Sequence, residues 1–252
     1  MRTDQDHTRK NVLCRLQGIG LGFVLFLGVR AISLPCRASG ATNFKEPQKY
    51  IENGGYALQI QNRTIRALNT RTPFIPASIL KLVTSLMVLD GLGPQFHFTT
   101  PIYIDDNDNI YIRGSGDPFL TSEAVRRMAK QLYTLGATSF HSLIFDNSAF
   151  ALKESPLQSS RSDNPYDADN GALAVNFNTV NFKVDSNRNV SSGEQQTPLL
   201  PIMKELARGY PQGRHRVNIG ILAPEEGQKT ATRYCGELFL AIFKEQGITV
   251  TN

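Results

Sequence analysis

The chain has 252 residues, which is enough for one large domain or two small ones. Its net charge of +5 is uneven, because six basic and two acidic side chains in the first 41 residues account for +4. The rest of the chain is nearly neutral and shows no basic patch interleaved with aromatic residues, which argues against a nucleic-acid partner.

The first 41 residues predict an export signal. A basic region ends at Arg15, an apolar run follows from 19 to 29, and small residues stand at 38–41, as at a cleavage site. The apolar run is short for a bilayer span, so we expect no stable membrane span after cleavage and a periplasmic or cell-wall location. An uncleaved anchor, or a start codon upstream of the true signal, is the alternative. Cleavage would leave Cys235 alone, so no internal disulfide is expected.

A hairpin and a helix are predicted next, after a short helical approach at 45–52. The segments 56–60 and 65–69 alternate like strands around a polar turn. Apolar residues then recur at helical spacing from Ile79 to Leu89, which predicts a largely buried helix that ends at Gly91.

The first turn of this helix carries Ser78 and, three residues later, Lys81. That spacing places both side chains on one side of a helix, one turn apart. A hydroxyl becomes a good nucleophile when a base lies within hydrogen-bond reach, and a lysine serves as that base when its environment lowers its pKa. The S-x-x-K pattern is common by chance, and its place at the start of an apolar helix favours a catalytic role.

From His97 onward the sequence predicts short strands and turns. The segments 98–103 and 110–113 flank the polar turn 105–109. Alternating Asp and Asn residues in this turn suggest a calcium loop, but the glycine and glutamate required at its sixth and twelfth positions are absent. A solvated turn is therefore expected.

Two amphipathic helices and several strands complete the predicted elements. The helices cover 122–135, capped by Thr121, and 231–246, ended by Gly247. Strands are expected at 142–145, 172–177, 180–184, 217–222 and from 248, with a loop at 187–198 and two helical turns at 201–208.

Four segments follow one another along the chain: Pro76-Ala77-Ser78-x-x-Lys81-Leu82-Val83-Thr84, Gly114-x-Gly116-Asp117-Pro118, Asp146-x-Ser148-x-Phe150 and Ala172-Leu173-Ala174-Val175-Asn176-Phe177-Asn178. In this order they resemble the D-alanyl-D-alanine carboxypeptidase/endopeptidase family of low-molecular-mass penicillin-binding proteins. The resemblance covers about residues 45–250.

The resemblance implies an α/β fold, part of a transpeptidase domain like that of penicillin-binding proteins and serine β-lactamases, with a mainly β insertion after the nucleophile helix. On this basis, residues 1–41 are the signal peptide, 42–97 the first part of the catalytic domain and 98–230 the insertion. Residues 231–252 are an incomplete return into the catalytic domain. Ser78 is implied as the acylated nucleophile and Lys81 as its base, acting on peptidoglycan stem peptides, with β-lactams as covalent inhibitors.

The family completes its active site with an S-x-N triplet and a K-T-G strand. Ser162-Asp163-Asn164 fits the first literally and Lys229-Thr230-Ala231 nearly fits the second, but the former lies in a turn-rich stretch and the latter approaches a helix. Either the chain holds the nucleophile helix without the rest of the cleft, which is compatible with an inactive chain, or its site is completed unconventionally.

Two other functions are compatible with the sequence. One is a non-catalytic peptidoglycan-binding or scaffold module, and the other is a β-lactamase or esterase of the same chemistry. No cofactor and no metal are expected, because the four histidines are scattered without ligand-like neighbours.

Overall fold

The computed structural model describes residues 47–150, 162–223 and 227–252, so the predicted export signal lies outside the described residues. These residues belong to two compact units, one ending at Phe96 and the other including everything from His97. Each unit has its own secondary structure.

The first unit contains the predicted hairpin. A 3₁₀ turn at Pro47–Tyr50 precedes strands β1 (Tyr56–Ile60) and β2 (Arg63–Leu68), which pair antiparallel. Gln61 and Asn62 connect them with φ of 47° and 63°. Two positive φ values are typical of the tight turn whose twist matches that of paired strands, so the second strand begins two residues earlier than predicted.

Helix α1 (Leu80–Leu92) follows, and the prediction that it is largely buried is wrong, because none of its residues is buried. Among its described residues, from 47 to 96, the unit offers only a two-stranded hairpin and short turns to cover a helix that is apolar on nearly every side, and these are too little. The helix also passes through Gly91 and is ended by Gly93, whose φ is 79° and whose N–H bonds Leu89 O at 3.0 Å.

In the part that the structure describes, the second unit has three small sheets and three α-helices. Its strands are β3 (Ile102–Ile104), β4 (Ile110–Arg113), β5 (Ser139–Phe140), β6 (Leu143–Asp146), β7 (Thr179–Val184), β8 (Val190–Ser192), β9 (Gly213–Asn218) and β10 (Thr249–Val250). Its helices are α2 (Ser122–Thr134), α3 (Pro201–Leu206) and α4 (Gly227–Glu245). The sheets have the orders β3-β4-β6, β8-β7-β9 and β10-β5, and β4 runs parallel to β6.

Three predicted strands and one predicted loop need correction. The strand predicted at 98–103 begins only at Ile102, as β3. Residues 172–177 do not form a strand, because Asn176, Phe177 and Asn178 all adopt positive φ within a 3₁₀ segment. The strand expected at 217–222 corresponds to β9, which begins at Gly213 and already ends at Asn218. A 3₁₀ turn follows at Ile219–Leu222, and Asn218 Oδ1 accepts a hydrogen bond from Gly220 N at its start. The loop predicted at 187–198 contains β8.

The Asp/Asn turn at 105–109 is held together by its first residue. The Asp105 carboxylate accepts from Asn107 N, Asn109 N and Asn109 Nδ2, each at 2.9 Å. These bonds, led by that of the Asn109 side chain, lower the pKa of Asp105 to about 2. Asp185 makes the same three bonds to Asn187 and Asn189, so the pattern closes two turns between antiparallel strands.

The core of the second unit is centred on α4. Its residues Tyr234, Leu238, Phe239, Ile242 and Phe243 are fully buried, at the helical spacing that the sequence predicts. Phe239 packs edge-on against Phe145 of β6, with ring centroids 5.5 Å apart. Residues 231–252 therefore share a core with the unit that begins at His97, while the division into domains stays a prediction.

Candidate active site

Ser78 lies in a short 3₁₀ turn, Ala77–Ile79, that leads directly into α1, and Lys81 is the second residue of that helix. The turn is closed by a bond from Ile79 N to Pro76 O at 2.9 Å. The two residues therefore follow one another by one turn at the start of a helix, as the sequence predicts.

The backbone just before the serine is strained. Ala77 has a φ of 43°, a left-handed conformation that is costly for residues with a side chain. Such strain is concentrated at active sites and switch regions, where the surrounding fold maintains it. Its position next to Ser78 is a feature that the sequence pattern does not reveal.

Both side chains are exposed to solvent. Ser78 and Lys81 are exposed, and within the described residues neither makes a hydrogen bond or an ion pair. The turn thus presents a hydroxyl and an amine to solvent at the positive end of a helix dipole, which favours negative charge developing on the serine oxygen.

The segment that fits S-x-N, Ser162-Asp163-Asn164, is part of a local turn. The Ser162 hydroxyl donates to the Asp167 carboxylate and accepts from Asn164 N, while Asn164 Oδ1 accepts from Tyr166 N at 3.0 Å and caps a 3₁₀ turn. The serine and the asparagine are therefore engaged in shaping this loop.

The segment that nearly fits K-T-G, Lys229-Thr230-Ala231, lies on a helix. Lys229 and Thr230 belong to the first turn of α4, and Thr230 is buried. A K-T-G segment belongs on a strand that lines the cleft, so the helical placement agrees with the context that the sequence indicates.

The other segments that carry the resemblance meet in the second unit. Gly114 N donates to Asp146 O and Gly116 N to Ala172 O, both at 2.9 Å, so three loops come together beyond the ends of β4 and β6. A Cβ on Gly114 would collide with the Ala172 backbone, and one on Gly116 with the Phe150 ring. The glycines allow this close approach.

A buried hydrogen-bond network lies behind these loops and was missed by sequence reasoning. Asn176 accepts from Ser122 N at 2.8 Å and donates to Ser122 Oγ and Tyr234 Oη, both at 2.9 Å. Ser122 Oγ lies 2.8 Å from Thr197 Oγ1, and Tyr234 Oη donates to Thr179 O at 3.1 Å. Burial raises the pKa of Tyr234, so its hydroxyl stays protonated as a donor.

Among the described residues, no helix has both the length and the apolar character needed to cross a membrane.

Comparison with known proteins points to one family. Residues 52–208 match the D-Ala-D-Ala carboxypeptidase 3 (S13) family. No curated protein matches the chain.

A solved structure with a TM-score above 0.5 supports the fold. The chain is similar to the crystal structure of penicillin binding protein 4 from Haemophilus influenzae, with a TM-score of 0.54 and 19% identity over 75% of this chain and 50% of that one. A structure of the same protein with a β-lactam aligns with a TM-score of 0.49 and 20% identity, over 81% of this chain and 53% of that one. The chain thus spans about half the length of the structures it matches.

These findings confirm the α/β fold of penicillin-binding proteins and the resemblance carried by the four segments. The chain belongs to the D-Ala-D-Ala carboxypeptidase 3 (S13) family.

Proposed function

We propose that this chain carries the nucleophile and the base of a serine-type D-Ala-D-Ala carboxypeptidase or endopeptidase that acts on peptidoglycan stem peptides. The observation that supports it best is the placement of Ser78 and Lys81, one turn apart and exposed at the start of α1. Both residues lie inside the range that matches the family.

The proposed reaction is acyl transfer through an ester on Ser78. In the proposed step the Lys81 amine takes the proton of the Ser78 hydroxyl, and the serine oxygen attacks the carbonyl carbon between two D-alanines. The C–N bond then breaks, and the departing amine leaves with a proton delivered from Lys81. Water attacks the ester, restores the serine hydroxyl and releases the shortened peptide.

One donor for the oxyanion is proposed from the same turn. The backbone N–H of Ser78 stands near the helix start, where it can face the oxygen that becomes negative in the tetrahedral intermediate. The second donor would come from a K-T-G strand, and the described residues contain no such strand, since Lys229 and Thr230 are helical.

The family context also supports an exported protein that meets its substrate at the cell wall and is acylated by β-lactams. A β-lactam reacts with the same hydroxyl, so it reports on Ser78 without requiring the natural peptide.

The experiment is labelling of the full chain with a fluorescent penicillin. We expect a covalent adduct in the wild type that is lost in Ser78→Ala and strongly reduced in Lys81→Met, because removing a general base slows such a step by roughly 10²–10⁴-fold. Ser85→Ala is the matched control, since Ser85 is an exposed serine on the same helix. It should be labelled like the wild type.

The other outcomes contradict the proposal. A chain that is folded but never labelled would support the non-catalytic peptidoglycan-binding module, for which the absence of a K-T-G strand among the described residues is the favouring observation. Rapid release of hydrolysed drug would support a β-lactamase, and labelling that persists in Ser78→Ala would remove the serine from its role.

A further inference from the structure

We propose that Phe119 and Phe177, in the second unit, form a platform that binds the sugar rings of a neutral amino-sugar glycan. The choice of glycan rests on the proposed function, because peptidoglycan stem peptides are attached to such strands. The existence of the platform rests on the geometry of the two rings.

The two rings stand together on the surface. Phe119 is 70% exposed and Phe177 is 48% exposed, although both are large apolar side chains. Their centroids lie 6.4 Å apart with an interplanar angle of 77°, an edge-to-face contact. Phe119 follows the Gly114–Pro118 loop and Phe177 lies in the 172–178 loop, so two of the converging loops each supply one ring.

The backbone under Phe177 is held in an unfavourable conformation. Asn176, Phe177 and Asn178 have φ of 47°, 61° and 51°. Asparagine tolerates this region, but phenylalanine rarely adopts it. Strained residues persist where the surrounding structure fixes them, and they are concentrated at functional sites.

The buried network supplies the restraint. Asn176 is fixed from one side by Ser122 and from the other by Tyr234, and Asn176 N donates to Leu120 O at 3.1 Å, next to Phe119. Asn178 is buried and its Nδ2 donates to Asp169 O at 2.7 Å. Both neighbours of Phe177 are thereby anchored, and its ring is directed outward beside Phe119.

The size of the platform favours a small rigid ligand over a protein. A stable protein interface covers about 800 Å² on each partner, whereas two partly exposed phenylalanine rings offer only a fraction of that area. The C–H faces of a pyranose ring suit the negative faces of aromatic rings, and one or two sugars match the span of the pair.

The carboxylate of Asp117, next to the two rings, can make a polar contact with a ligand and gives the platform a negative charge. Asp117 Oδ1 accepts from Phe119 N at 2.8 Å, and within the described residues its other oxygen has no partner. That oxygen can accept a sugar hydroxyl, and its charge disfavours the acidic groups of stem peptides. The ligand class is therefore a neutral glycan surface.

The test measures binding of tetra-N-acetylchitotetraose, a neutral β-linked amino-sugar, to the full chain by calorimetry or chemical-shift titration. We expect measurable binding that weakens about fivefold in each of Phe119→Ser and Phe177→Asn, the change expected from loss of one aromatic contact. Asparagine is chosen at 177 because it keeps the left-handed backbone. Tyr133→Ser, which removes a 53% exposed ring from α2, is the matched control and should bind like the wild type.

Three outcomes would overturn the platform: no binding of the sugar by the folded wild type, binding by both ring variants that is as tight as that of the wild type, or self-association that is abolished by Phe119→Ser. Circular dichroism of each variant separates loss of a ring from loss of folding. Penicillin labelling reports on Ser78, whereas sugar binding reports on the two rings. Failure of one experiment is therefore distinguishable from failure of the other.

Discussion

Helices α1 and α4 are both rich in apolar residues, yet their environments are opposite. Every residue of α1 is at least partly exposed, with Leu86 at 67% and Met87 at 69%. On α4, Phe239 and Phe243 are fully buried and contact each other and the sheets. Apolar periodicity predicts that a helix forms and which of its sides tend to be buried. The residues that bury those sides come from other parts of the fold.

Truncation of a large side chain on each helix should show the largest difference. Phe239→Ala is expected to lower the free energy of unfolding by about 3–5 kcal/mol, because it removes a buried ring and leaves a cavity. Leu86→Ala should change it by less than about 0.5 kcal/mol, because the side chain is already in solvent. Urea unfolding followed by circular dichroism measures both.

The Leu86 variant decides whether α1 is uncovered in solution. A loss at Leu86 as large as that at Phe239 would show that another surface, such as a second copy of the chain, packs on α1. Repeating the measurement at two protein concentrations would identify self-association, because its contribution depends on concentration.

Removal of the Tyr234 hydroxyl, also on α4, should have a smaller effect on the free energy of unfolding. Tyr234→Phe keeps the buried ring but leaves Thr179 O without its donor and Asn176 Nδ2 without one acceptor. We expect a loss of about 1–3 kcal/mol, the cost of buried groups without partners. Tyr133→Phe, at an exposed position on α2, is the control and should be neutral in the same urea unfolding. A neutral Tyr234→Phe would mean that the network adds nothing to the stability of the second unit.

Residue patterns predicted much of the secondary structure. The hairpin, α2, α4 and the turn at 105–109 follow from alternation, helical periodicity and Asp/Asn chemistry, all of which act within a few residues. The S-x-x-K spacing likewise placed Ser78 and Lys81 at a helix start, because three-residue spacing on a helix is fixed by its geometry.

Features that depend on distant residues were not predictable in the same way. The apolar run at 172–177 suits a strand, but Asn176 bonds to Ser122, 54 positions earlier, and takes a left-handed conformation. The exposure of α1 likewise depends on what else packs in its unit. Both cases turn on tertiary contacts that a short window of sequence does not contain.

The reactivity of cysteine thiols tests the difference in exposure between the two helices at single positions. Cys235 on α4 is fully buried, and burial raises the pKa of its thiol. In a Cys14→Ser/Cys36→Ser chain, we expect the native protein to show no thiol reactive toward Ellman's reagent within minutes and one thiol after unfolding. Adding Leu86→Cys should introduce one immediately reactive thiol, because that position on α1 is exposed.

The same buried thiol predicts the sign of a pH effect. The pKa of this thiol is higher in the folded state than in the unfolded state. Below the ordinary thiol pKa both states hold the proton, so Cys235 does not make the free energy of unfolding depend on pH there. Above that pKa only the unfolded chain ionises, and stability should fall by up to about 1.4 kcal/mol per pH unit from roughly pH 8.5 upward. Cys235→Ala should lose this component of the slope, whereas Leu86→Cys should leave it unchanged, since an exposed thiol ionises alike in both states. An identical slope with and without Cys235 would mean that the α4 thiol reaches solvent in the native protein, and that the contrast between the two helices is smaller than the structure indicates.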